Sequence, residues 1–270
     1  MNDLQISRRA LMMGAAATTA WLASPVRALT QSAGPSLTLP ASIERLIGQM
    51  TLEEKAGQLT LLAAAWSGGA ATTLNPAGAS SNFEAQVEQA RAGRLTGVFN
   101  GNGAEMARQM QKAVMEGSRL KVPLIFASDV IHGFRTVFPV PLGESASFEP
   151  ELARRTARAA AIEASAAGID WTFAPMVDIA RDARWGRGVE GSGEDVLLGE
   201  LMAAARVRGF QGDDLTGERN LLACAKHFAA YGAAEAGLDY NTVDISERTL
   251  RDVYFPPFEA AFDAGALSVM

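Results

Sequence analysis

Lys226 and His227 stand side by side at the end of an apolar stretch, Asn220-Leu221-Leu222-Ala223-Cys224-Ala225. The stretch has the character of a buried parallel strand, apolar on both faces. Polar and charged groups placed there without partners are unfavourable by several kcal/mol. In a parallel α/β barrel, the C-terminal strand ends form the active-site face. A Lys beside a neutral His offers donors to hydroxyl groups, such as a sugar carries. The plainer alternative is a Lys that snorkels to water and a His bonded to a neighbouring loop.

Three further loops collect polar chemistry at expected strand ends. In Ser128-Asp129-Val130-Ile131-His132-Gly133, Asp129 closes an apolar run, so its carboxylate should point at the same face and accept paired hydroxyls. A helix N-cap is the simpler role for such an Asp, and His132 is expected to brace its loop. The second loop, Arg181-Asp182-Ala183-Arg184-Trp185-Gly186-Arg187, is followed by Glu190-Gly191-Ser192-Gly193-Glu194-Asp195. Arg donates in a planar fork to hydroxyl or carboxylate oxygens, and the nearby carboxylates should hold some of these Arg as internal ion pairs. Arg181, Asp182 and Arg184 are expected only to brace the loop. The third, Gly237-Leu238-Asp239-Tyr240-Asn241-Thr242-Val243-Asp244, either lines the site or connects elements.

These loops need a frame. Thr51-Leu52-Glu53-Glu54 is a capping box opening a helix, expected to carry Leu59, Leu61 and Leu62 toward a core. Helical periodicity over residues 83–91 and 104–116 then alternates with apolar runs at 95–100 and 122–129. A helix beginning at Pro150 leads to the run 169–178, and a helix over 196–209 leads to Leu221. Ser246 caps a helix broken by Pro256-Pro257, before the run Ala266-Leu267-Ser268-Val269-Met270. Strands alternating with helices imply βαβ units. About five such strands fit an incomplete (β/α)8 TIM-type barrel. No Gly-rich dinucleotide fingerprint follows the first strand. The runner-up is an open sheet of a smaller fold. A barrel short of strands leaves raw edges, so the expectation is the N-terminal part of a longer protein.

The chain of 270 residues carries a formal net charge of −6 and no basic run, which argues against nucleic acid. The N-terminus reads as export machinery. Ser7-Arg8-Arg9 precedes a moderate apolar run, and Ser24-Pro25-Val26-Arg27-Ala28 supplies a small-residue cleavage site. The expected organisation is a twin-arginine-type signal over residues 1–28, a linker over 29–41 and a barrel over 42–270, with a periplasmic or secreted destination. The apolar run is too short to span a membrane. Cys224, the single cysteine, lies inside an apolar strand and is expected to be a small core residue. His132 and His227 are far apart and no cluster has ligand spacing, so no metal and no cofactor are expected.

Taken in order, the Ser-Asp-Val-Ile-His-Gly run, the Arg181–Arg187 loop, Glu190-Gly191-Ser192-Gly193-Glu194-Asp195, Lys226-His227-Phe228 and the 239–244 loop resemble family-3 glycoside hydrolases, closest to the periplasmic β-glucosidase branch. The likeness spans residues 43–270. It implies removal of a non-reducing β-linked glucose or related sugar with retention, the substrate being a small β-glucoside or oligosaccharide. Carried over motif by motif, Asp129, Arg187, Lys226 and His227 bind hydroxyls of the terminal sugar. Retention needs a nucleophile and an acid/base close together. The resemblance implies that both lie beyond Met270, so this chain alone should bind sugar weakly at best and not hydrolyse it. No His follows His227 in the next loop, which disfavours the β-N-acetylglucosaminidase branch.

Two rivals remain at this point. A non-catalytic sugar-binding or inert relative would use the same four residues. An unrelated barrel enzyme could use Lys226 as a Schiff-base nucleophile, although Arg187 and Asp129 suit hydroxyls better.

Overall fold

The computed structural model describes residues 39–66, 75 and 82–270, so the expected signal over 1–28 and most of the linker over 29–41 lie outside the described residues. The chain divides into two units, Met1–Arg45 and Leu46–Met270. In the first, residues 41–45 begin helix α1, Ala41–Gln49.

In the second unit the Thr51 box forms. The Thr51 hydroxyl accepts from the Glu54 N–H, Glu54 returns the bond to the Thr51 N–H, and helix α2 runs Leu52–Gly57. Of Leu59, Leu61 and Leu62, Leu62 reaches the core as expected, but Leu59 does not, and no helix carries them. Helix α2 stops at Gly57, where an added Cβ would lie 1.9 Å from the Gly93 carbonyl oxygen. The chain turns, leaving Leu59 exposed, and Leu61–Ala63 becomes strand β1. Pairing with β2 overrides the helical preference of this Leu/Ala-rich run.

The remaining elements are α3 (Phe83–Arg91), β2 (Gly97–Phe99), α4 (Ala104–Gly117), β3 (Ile125–Ser128), α5 (Pro141–Ser145), α6 (Pro150–Ala166), β4 (Trp171–Thr172), α7 (Val196–Gln211), β5 (Cys224–Ala225), α8 (Glu247–Thr249), α9 (Pro256–Asp263) and β6 (Ser268–Val269). All strand pairings are parallel. β1 through β4 pair in chain order, with Leu61 opposite Gly97, Gly97 opposite Ile125 and Ala127 opposite Trp171. Parallel bridges Trp171–Leu222 and Met176–Lys226 join β4 to β5, and β5 pairs with β6. Six described strands thus follow one another without reversal, one more than the sequence reading counted. A doubly wound sheet reverses its order at a switch point. The uninterrupted order is that of a (β/α) barrel arc, and it removes the open-sheet alternative.

One core packs β1, β2, α3 and α4 around Leu95, Val98, Met110 and Phe126. A second packs α6, α7 and α9 around Val207, Phe210, Leu221 and Phe258. Every buried residue of α6 is an alanine: Ala153, Ala157, Ala160, Ala161 and Ala164. Opposite them on α7, a Cβ on Gly209 would fall 2.4 Å from the Arg154 carbonyl oxygen and 2.7 Å from the Ala157 Cβ. The two backbones therefore meet almost without intervening side chains. Beneath them Glu144 of α5 receives hydrogen bonds from Arg206 of α7 and Thr156 of α6, with the two charged side chains only 3% and 6% exposed.

Candidate active site

The C-terminal strand ends converge. β3 delivers Asp129 and β5 delivers Lys226, whose Nζ donates to Asp129 Oδ1 at 3.0 Å. Lys226 is buried, while the Asp129 side chain is 42% exposed. The ammonium is thus held inside, and the carboxylate keeps a face toward solvent. Asn100, just past β2, accepts from the Ser128 hydroxyl at 3.2 Å and the Asp129 N–H at 3.4 Å, fixing that strand end.

His227 is fixed by Asp178, from the segment after β4. Asp178 Oδ2 accepts both the His227 backbone N–H and its Nδ1–H at 2.9 Å. The Asp178 oxygen accepts, so Nδ1 carries a hydrogen and Nε2 lies outside this bond. Asp178 itself is fully buried.

Arg187 sits on a short helical turn, Gly186–Glu190. Its Nε and Nη2 donate to the two Glu190 oxygens at 2.6 and 2.8 Å. This fork lifts the guanidinium above its usual value. Burial works to raise the Glu190 carboxyl, but Arg187, Lys226 and His227 together hold it below the ordinary range. Lys226, His227 and Arg187 therefore share one electrostatic neighbourhood.

Tyr231 is the hub. Its ring lies 4.9 Å edge-on from His227 and 5.1 Å from Trp185, and the Arg187 guanidinium stands 5.4 Å above it. The Tyr231 hydroxyl and the Trp185 Nε1–H both donate to Asp239 Oδ1. Burial, reinforced by Asp239, pushes the phenol up to about 12. The loop carrying these residues fits because Gly232 and Gly237 carry no side chains. A Cβ on Gly232 would meet the Ile179 carbonyl oxygen at 2.3 Å, and Gly237 (φ +65) lies against the Trp185 N–H.

A half-open Lys/Asp pair, an oriented His and a braced Arg thus share one barrel face. Comparison with known proteins places the chain in a family. Residues 51–270 match the glycosyl hydrolase family 3 N terminal domain.

The chain belongs to this family.

It is 43% identical over 230 residues to the periplasmic beta-glucosidase of Salmonella typhimurium, covering 85% of this chain and 28% of that protein. With the lysosomal beta glucosidase of Dictyostelium discoideum it shares 32% identity over 249 residues, covering 84% of this chain and 30% of that one. The crystal structure of beta-glucosidase from Listeria innocua in complex with isofagomine superposes with a TM-score of 0.75 at 40% identity, over 86% of this chain and 32% of the other. The chain thus spans less than a third of the length of these family-3 relatives.

Of the residues singled out from sequence, the family-3 chain brings Lys226 into contact with Asp129, and gathers His227 and Arg187 around Tyr231. Arg184 pairs with Asp182 alone, Nη2 to Oδ2 at 2.6 Å, as a loop brace. His132 uses Nδ1 on the Phe138 carbonyl at 3.0 Å and braces its own loop. Asp239 of the undecided loop does line the site, through Trp185 and Tyr231. Sequence reasoning missed three contributors: Asp178 as the partner of His227, Asn100 as the brace of Asp129, and Tyr231 as the hub. Asp178 and Asn100 had one available signal, a polar residue closing an apolar run. Tyr231 had none, since its role depends on how two loops meet. Cys224 is buried, and burial pushes its thiol up.

Proposed function

We propose that this chain supplies the sugar-binding half of an exo-acting, retaining β-glucosidase-type site, for hydrolysis of small β-glucosides or oligosaccharides. The Lys226–Asp129 pair carries the reading. Its buried ammonium and half-exposed carboxylate present a donor and an acceptor side by side, the pattern that adjacent sugar hydroxyls require. Arg187 and His227 complete the cradle, with Nε2 of His227 as a further contact. Neither carboxyl needed for retention is assigned to Asp129, which is committed to Lys226, and the nucleophile and acid/base are placed beyond Met270. The relatives named glucosidases, and a Listeria innocua structure in complex with glucose, support glucose as the first ligand to try.

Calorimetric titration with glucose tests this. Saturable binding, weakened about tenfold or more in Asp129→Ala, is expected from loss of hydrogen bonds to a charged group. No binding by the chain, or equal binding by the variant, would sink the reading. Turnover of an aryl β-glucoside above background would overturn the placement of both catalytic carboxyls.

We further infer export by a twin-arginine-type signal ending at Ala28, with the barrel segment beginning near residue 42. The periplasmic name of one relative supports the destination, and no described helix is long and apolar enough to cross a membrane. Replacement of Arg8 and Arg9 by Lys should retain the chain in the cytoplasm. A mature N-terminus other than Leu29 would move the cleavage site.

A further inference from the structure

Two Asn-Gly steps follow β2 in immediate succession, Asn100-Gly101 and Asn102-Gly103, and the sequence holds no others. In such a step the backbone nitrogen of the glycine can reach the asparagine side-chain amide, because glycine has no Cβ to block the approach. Asparagine is a thermolabile residue. The chemistry open to the two steps is the same, so their surroundings decide between them.

Asn100 is locked. Its Oδ1 accepts from the Ser128 hydroxyl at 3.2 Å and from the Asp129 N–H at 3.4 Å. Its own N–H donates to the Ala127 carbonyl at 2.8 Å. The nitrogen that would attack belongs to Gly101, which is buried. A Cβ on Gly101 would stand 2.4 Å from the Ala64 Cβ and 2.5 Å from the Trp66 ring, so this close-packed backbone has no room to swing.

Asn102 is free. It is exposed, and its side chain makes no hydrogen bond among the described residues. A Cβ on Gly103 would meet nothing within 4 Å. Gly103 (φ +132) is the N-cap of α4, so its N–H has no intrahelical partner and is held only by the Ala167 carbonyl at 3.3 Å. Nucleophile and target are both loose here, two residues from a pair in which both are held.

We propose that Asn102 is a site of covalent modification by spontaneous deamidation, and that the fold shields Asn100 from the same reaction. The Gly103 nitrogen gives its proton to solvent base and attacks Asn102 Cγ. A new N–C bond forms, the Cγ–Nδ2 bond breaks, and the side-chain nitrogen leaves as ammonia with a proton from water. Water then opens the cyclic imide at either carbonyl, giving an aspartyl or an isoaspartyl residue and one new negative charge. Nothing is oxidised or reduced, and water is the only co-reactant. The aspartyl product sets its carboxylate just before the N-terminus of α4, where no side chain caps the helix and negative charge is favoured. The inference stands apart from the sugar-binding reading, although the shielded residue is the one that braces Asp129.

The test is peptide mapping by mass spectrometry of the chain aged at mildly alkaline pH, folded and in guanidinium chloride. In the folded chain, exchange of the side-chain NH2 for OH should be about tenfold or more faster at Asn102 than at Asn100, the factor expected when two hydrogen bonds must break before attack. In guanidinium chloride the two steps should react at similar rates, because the fold alone separates them. Ser128→Ala removes one bond from the Asn100 amide and should speed that step several-fold. Asn102→Gln should abolish the early, more acidic species on ion exchange, with circular dichroism unchanged. Equal rates in the folded chain, a faster Asn100, or an Asn102 that reacts only when unfolded would overturn the proposal. The same ratio persisting in guanidinium chloride would assign the difference to sequence instead of fold and overturn it as well.

Discussion

Two ion pairs in this molecule look alike on paper and behave as opposites. Glu144–Arg206 lies between α5, α6 and α7, closed to water on both sides, and burial draws the Arg206 guanidinium down despite its partner. Lys226–Asp129 joins two strand ends, with the lysine sealed and the carboxylate half in water. In the closed pair, Arg206 and Thr156 occupy the Glu144 oxygens. In the half-open pair, Asp129 retains acceptor capacity facing outward. Burial on both sides makes a fastener, while burial on one side leaves an acceptor open to solvent.

The largest effect should come from the fastener. Glu144→Ala leaves a buried guanidinium uncompensated and should destabilise the fold by about 3–5 kcal/mol, measured by urea unfolding. Replacing the pair together, as Glu144→Leu with Arg206→Met, should recover most of that loss. A single variant as stable as the parent would break the comparison from its closed side. Asp129→Ala comes next and should separate the two properties. It should cost far less stability than Glu144→Ala, because water reaches the vacated position, yet weaken glucose about tenfold or more. An Asp129→Ala chain that unfolds as readily as Glu144→Ala would show that this pair too is a fastener.

A smaller effect is spectroscopic. Tyr231 is pushed up to about 12, first by burial and then by Asp239. In Asp239→Asn, the ultraviolet titration of Tyr231 should move part of the way back toward 10, since burial remains. A phenol raised in the folded state binds its proton more tightly there than in the unfolded chain. Its stabilising contribution is therefore complete below about pH 10 and fades as pH rises through about 12. Asp239→Asn should flatten that alkaline decline, and an unchanged curve would uncouple Asp239 from Tyr231. The smallest effect belongs to the fully wet extreme. Arg248–Asp252 is 90% and 62% exposed, so Arg248→Ala should leave the melting temperature unmoved.

The sequence made some of this plain and hid the rest for definite reasons. Asp129 and Lys226 were legible because each ends an apolar run, and chain order alone then places both on one barrel face. The pairing of Asp178 with His227 bridges 49 positions, and no local pattern encodes it. Strand β1 was hidden because three residues, Leu61-Leu62-Ala63, carry too little periodicity to oppose a Leu/Ala helix signal. Its neighbour β2 decides the matter through long-range pairing. The strands β4 and β5 are two residues each, so the apolar runs predicted strand direction and order better than strand length. Tyr231 was hidden because ring contacts between two loops are set by Gly232 and Gly237, whose meaning emerges only when the loops meet.

The alanine seam between α6 and α7 has a bearing on how this protein can change. With Gly209 set against Ala157 and the Arg154 carbonyl, almost any enlargement there forces two helices apart. That seam is mutationally brittle, while the loops over residues 179–195 and 229–245 are held by bonds within and between them. Laboratory evolution should spare the seam entirely and place its diversity at the solvent-facing positions of those loops, away from Gly232 and Gly237.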